Sequence, residues 1–141
     1  MIETALVCLA LNIYHEARNQ PTIGQVAVGQ VVMNRVRDER FPDTVCGVVK
    51  QGQTYSWQPD LPIRNKCQFS WWCDGKSDRP QDKEAWERAL LLASGVYLDQ
   101  LHDFVEGSTH YHAIYVLPDW HESKQYVVRI NDHVFYKWEN D

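Results

Sequence analysis

The chain has 141 residues, 44% of them hydrophobic and 23% charged, a composition that fits one folded domain over residues 1–141 and argues against disorder. Its 14 Lys and Arg against 19 Asp and Glu leave a formal charge of −5, the wrong sign for wrapping nucleic acid or adsorbing to an anionic membrane. No apolar run approaches the roughly 20 residues that a membrane span needs, so membrane insertion is not expected.

Residues 3–18 are predicted to form a helix, because Leu6, Leu9, Ile13 and Glu16 recur at steps of three and four and so share one face. Cys8 on this stretch reads as a small buried hydrophobe. A secretory leader is not expected here: Glu3 stands where a basic start belongs, and no small-residue cleavage site follows. Residues 22–37 read as a second helix, with Thr22 and Gln25 as a capping box and Val26, Met33 and Val36 continuing an apolar stripe. Gly24 and Gly29 inside it point to close helix–helix approach. Asp43 or Thr44 can cap a short helix through Val45, Val48 and Val49.

From Gln51 to Pro80 the pattern is irregular and rich in Gly, Pro, Asn, Ser and rings, which suggests a functional loop. Cys67 and Cys73 flank part of it; they close a short loop in an oxidising compartment or stay reduced elsewhere. A third long helix is predicted over 82–98 from Trp86, Leu90, Ala93 and Tyr97. The period then changes. Residues 126–130 and 133–138 read as strands joined by a two-residue turn at Asn131-Asp132, with 109–116 as a further strand. Helices first and strands last indicate an α+β fold.

Glu16 is the residue most suggestive of chemistry. It ends the apolar stripe of the first helix, where desolvation disfavours the ionised carboxyl and suits it to act as a general acid near neutral pH. The structural alternative is an ion pair with Arg18, Arg35 or Arg37.

The stretch Asn12–Arg18 (NIYHEAR) resembles the catalytic-helix motif of the SleB-type cell wall hydrolases, the spore-cortex-lytic family. The resemblance continues through Gln25–Val36 (QVAVGQVVMNRV), Phe41–Val49 (FPDTVCGVV), Gln68–Gly75 (QFSWWCDG), His110–Trp120 and His133–Tyr136 (HVFY), and so spans nearly the whole chain. Asn19-Gln20 departs from the Gly-Glu that many members carry. The resemblance implies a mainly helical fold like goose lysozyme and the lytic transglycosylases, with a small antiparallel β-hairpin region. It also implies cleavage of peptidoglycan glycan strands at the β-1,4 bond between N-acetylmuramic acid and N-acetylglucosamine. Glu16 would act first as acid and then as base for the muramic 6-hydroxyl, giving a 1,6-anhydro end without a cofactor. Lysozyme-like hydrolysis is the nearest rival, with Asp43, Asp74 or Glu106 as the second carboxylate.

Gln68, Phe69 and Ser70 are expected to face Glu16 across the cleft and bind substrate, as are His110, Tyr111 and His112. Tyr14 and His15 are candidate partners of the acid. His110 and His112 project from one face of a strand, and with His121 or His133 they admit a second reading as a zinc-dependent amidase; without such a set no metal is expected. A third reading is a non-catalytic wall-binding module that uses the aromatic surface. The glycan readings fit a monomer made in the cytoplasm and acting on the wall after release, as a phage endolysin does with a holin.

Overall fold

In the computed structural model the described residues are 4–138. Helix α1 (Ala5–Ala17) is the central element, packed against α2 (Thr22–Arg37), α3 (Val45–Val49) and α4 (Lys83–Tyr97). Its buried residues Cys8, Leu9, Ala10, Asn12, Ile13, Tyr14 and Ala17 surround most of its circumference. The single stripe expected from the sequence is therefore only part of its buried surface, since neighbours enclose it on several sides. A Cβ on Gly29 would stand 2.9 Å from Ile13 Cδ1, so the missing side chain lets α2 approach α1 closely.

Two expectations change in detail, and one open choice is decided. No capping box forms at the start of α2: Pro21 occupies the N-cap without a side-chain bond, and the Gln25 amide turns inward to donate to the Gln20 carbonyl at 2.9 Å. Thr44, not Asp43, caps α3, accepting from the Gly47 N–H at 3.0 Å. On α4 the inner face is Ala85, Ala89, Ala93 and Val96, whereas Tyr97 is 44% exposed. Small residues there let α4 lie close on α1, and the larger Trp86 and Leu90 fill the flank.

The two cystine bridges are Cys8–Cys46 and Cys67–Cys73. Cys8 is thus not a free buried thiol; it ties α1 to α3. The spacing of 38 residues between the partners carries no sequence signal for the pairing.

The C-terminal sheet has order β3-β5-β4, from β3 (His110–Ala113), β4 (Gln125–Ile130) and β5 (His133–Lys137), all antiparallel. Asn131 adopts φ 53° in the tight turn joining β4 and β5. The region expected to be irregular contains a second sheet, β1 (Gly52–Tyr55) paired with β2 (Gln58–Cys67). Its residues are nearly all exposed, so it lacks the apolar alternation that marks a strand in sequence. Its base needs a glycine: a Cβ on Gly52 would meet the Cα of its partner Cys67 at 2.7 Å. The short 3-10 turn η1 (Ser70–Cys73) follows, and a second, η2 (Asp119–Glu122), connects β3 to β4.

Candidate active site

The last two turns of α1 present Asn12, His15 and Glu16 to the segment that follows β2. Trp71 of η1 donates its indole N–H to Asn12 Oδ1 at 2.9 Å, and its ring stacks on His15 at 4.6 Å between centroids. The other side of the His15 ring reaches the Asp78 carbonyl at 2.8 Å. Tyr14 points elsewhere: its hydroxyl accepts from the N–H groups of Gln81 and Asp82, both at 3.0 Å, and so fixes the start of α4. Neither Tyr14 nor His15 is hydrogen-bonded to Glu16. They hold the groove wall against α1.

The sheet supplies the other side. On α2, Asn34 donates to the Ser108 carbonyl at 2.9 Å, and Arg35 Nε to the Thr109 carbonyl at 2.7 Å, which sets the start of β3. Alternation along β3 then turns Tyr111 inward, opposite Phe135, while His110 and His112 share the outer face against Trp120. The Tyr111 phenol donates to Glu16 Oε1 at 2.5 Å.

Glu16 sits where two depressions meet. One is lined by Glu16, Ser70, Trp71, Asp74, Lys76 and Arg79 among others. The other is lined by Glu16, Arg35, Gln68, Phe69, His110, Tyr111 and Trp120. The residue keeps some exposed surface towards the groove, while its carboxyl is enclosed on most sides. Burial raises that carboxyl above its ordinary range; the Tyr111 hydrogen bond and the Arg35 charge act against burial without cancelling it. Burial, and next the neighbouring Glu16, push the Tyr111 phenol well above its usual value, so it stays protonated as a donor. Among the described residues no arginine comes within ion-pair distance of Glu16, so the clamp by Arg18, Arg35 or Arg37 does not form.

The other sequence candidates divide. Gln68 and Ser70 are exposed and lie on different arms, flanking Glu16. Phe69 touches the second arm but is 4% exposed; it belongs to the core beneath Arg35 and Tyr111. His110 lines the second arm, with Nδ1 3.0 Å from Thr109 Oγ1. His112 lines neither arm. Its ring nitrogens meet the Ala113 carbonyl and the Tyr136 hydroxyl, at 2.8 and 2.9 Å. His121 is bound to the Pro118 carbonyl, and His133 packs edge-on against Tyr111, with burial holding it below its usual value. Among the described residues no three His, Cys, Asp or Glu side chains converge where an ion could sit. Of the alternative second carboxylates, Asp74 lines the groove with Glu16; Asp43 lies in a depression with Ala5 and Tyr97, and Glu106 in an exposed turn after Val105.

From the sequence Arg35 is only one of three candidate ion-pair partners for Glu16. Its signal was legible: Gln25, Val28, Val32 and Arg35 recur at steps of three and four, so the arginine continues the buried face of α2. Trp120 carried no such pattern, since η2 is too short to show one.

Curated spore cortex-lytic enzymes are similar to part of the chain. Those of Bacillus cereus and Oceanobacillus iheyensis are 42% and 44% identical over 55 residues, 39% of this chain and 21% and 20% of theirs. The matched part is thus about a fifth of the length of those relatives. Two solved structures share the fold, each with a TM-score of 0.63. One is the catalytic domain of the germination-specific lytic transglycosylase SleB from Bacillus anthracis, at 22% identity and covering 97% of both chains. The other is the catalytic domain of the Bacillus cereus SleB protein, at 25% identity, covering 97% of this chain and 93% of that one. The family model described as cell wall hydrolase matches residues 19–136, so Glu16 lies just outside the matched stretch. By that match the chain belongs to the cell wall hydrolase family.

Proposed function

We propose that the chain cleaves peptidoglycan glycan strands at the N-acetylmuramic acid–N-acetylglucosamine β-1,4 bond as a lytic transglycosylase. Protonated Glu16 donates to the glycosidic oxygen as the C1–O bond breaks, releasing the N-acetylglucosamine 4-hydroxyl. The muramic 6-hydroxyl closes onto C1, and its proton returns to the Glu16 carboxylate. One carboxyl therefore serves both steps. The observation that carries this reading is that Glu16, among the described residues, is the residue common to both arms of the groove, and burial favours its protonated form. A strand lying along both arms would place a bond at the acid. The name of the Bacillus anthracis neighbour, a lytic transglycosylase, is consistent with it.

Hydrolysis is the second reading, favoured by Asp74 on the same groove wall. Mass spectrometry of digested sacculi separates the two. Anhydro-muramic ends are expected; reducing muramic ends assign the reaction to a hydrolase, and intact glycan with cut amides overturns both. We further propose that the enzyme works on the wall, outside the reducing cytoplasm, a setting with which two cystine bridges are compatible.

A further inference from the structure

Arg35 is 5% exposed, yet it carries a full charge into the interior. Its guanidinium lies over the rings of Phe41 and Phe69, at 4.8 and 5.3 Å from their centroids. Nε is bound to the Thr109 carbonyl, and Nη1 is buried without a hydrogen-bond partner. Among the described residues no carboxylate pairs with it at contact distance, and the one carboxyl that acts on its charge is Glu16. Holding the start of β3 would need only a neutral donor. A buried cation with an idle N–H is costly unless a negative charge arises nearby during function.

We propose that Arg35 is a positioning residue for the reaction at Glu16, a fixed positive charge whose counter-charge appears only when Glu16 has given up its proton. The proposal rests on the acid–base reading above. In the resting enzyme burial favours the neutral form of Glu16, and among the described residues Arg35 has no ion pair. After transfer to the leaving oxygen, the carboxylate forms within the field of the guanidinium and the Tyr111 hydroxyl, where no water need reorganise. The acid is thereby strong enough to donate, while burial keeps it protonated before substrate binds. The arm that Glu16 shares with Arg35 is also lined by Tyr111 and His110 from β3 and Gln68 after β2. On the other arm the titratable and charged residues are Tyr14, His15, Arg18, Asp74, Lys76, Asp78 and Arg79.

The test is the titration of Glu16, read by NMR of the whole protein labelled with carbon-13 glutamate and assigned by difference from Glu16→Gln. In Arg35→Gln the midpoint should rise by about one pH unit, a tenfold change in acidity, as expected on losing a nearby opposite charge. The descending limb of kcat/KM on sacculi should move alkaline by the same amount while its plateau falls. A purely structural arginine would lower the plateau and leave the limb in place. If Arg35→Gln does not fold, Arg35→Lys carries the test: its shorter reach and lost Thr109 bond should raise the midpoint by about half a unit. An unchanged midpoint in whichever folded variant is measured overturns the proposal. The NMR readout does not depend on turnover. An inactive wild type with the predicted shift would overturn the reaction while leaving the Glu16–Arg35 coupling intact.

Discussion

Tyr111 and Glu16 are 95 positions apart in sequence, and the phenol of one donates to the carboxyl of the other at 2.5 Å. The bond joins the last turn of α1 to the edge strand of the sheet, and so couples the two halves of the fold at Glu16 itself. It favours the ionised carboxyl, against burial, which favours the neutral one.

Tyr111→Phe removes that donor while keeping the ring in place. The Glu16 midpoint should rise, and kcat should fall by roughly ten- to a hundredfold, the range for a hydrogen bond to a charged group of about 1.5–3 kcal/mol. The descending limb of the pH–rate profile should shift alkaline. Unchanged kcat with an unchanged limb would show that the phenol only packs.

Glu16→Gln should lower turnover on purified sacculi by at least two orders of magnitude with the fold intact. Its stability should also respond differently to pH. The folded carboxyl holds its proton to higher pH than the unfolded chain, whose value is near 4.5. That contribution is complete below pH 4.5 and is lost as pH rises through the raised folded value. Wild type should therefore lose stability across this window, whereas Glu16→Gln should not. Urea unfolding at pH 4 and pH 7 measures the difference; parallel changes in both proteins would mean that burial does not raise the carboxyl.

The two bridges should separate stability from activity. Cys8–Cys46 closes a span of 38 residues and Cys67–Cys73 a span of 6, worth about 4 and about 2 kcal/mol by loop entropy. Replacing Cys8 and Cys46 by Ala should lower Tm more, yet leave the folded enzyme active. Replacing Cys67 and Cys73 by Ser should lower Tm less but cost about tenfold or more in turnover, because that loop carries Gln68 and Ser70 on opposite sides of the acid. Turbidity loss below both melting temperatures, beside calorimetry, tests the split.

The helices were legible because burial leaves a period of three to four. The boundaries of α2 match the apolar pattern of 22–37, and the β4–β5 turn falls where Asn131-Asp132 predicts it. The β1–β2 hairpin was not legible, since strands exposed on both faces need no apolar alternation. Glu16 could be singled out because a carboxyl continues an apolar stripe. Its surroundings could not be read the same way: Tyr111, Arg35 and Trp71 come from three other elements, and only tertiary packing brings them to α1. The same holds for the difference between His110 and His112. Both project from one face of β3, but only His110 reaches the groove, because the Tyr136 hydroxyl holds His112.

Asp74 decides between the two glycan reactions. It lines the arm shared with Glu16, and its Oδ1 accepts from the Lys76 N–H at 2.9 Å, so the side chain is held by its own turn. A hydrolase needs a carboxylate to activate water or to stabilise the glycosyl cation, and losing it costs orders of magnitude. A transglycosylase uses the substrate's own hydroxyl and needs no such group. Asp74→Asn keeps the shape of the side chain and an oxygen able to accept from Lys76, so the loop should persist. The expected result is activity within a few-fold of wild type with anhydro ends unchanged. A drop of about a hundredfold or more, with reducing ends in the wild-type digest, would make Asp74 the second carboxylate and Glu16 the acid of a muramidase.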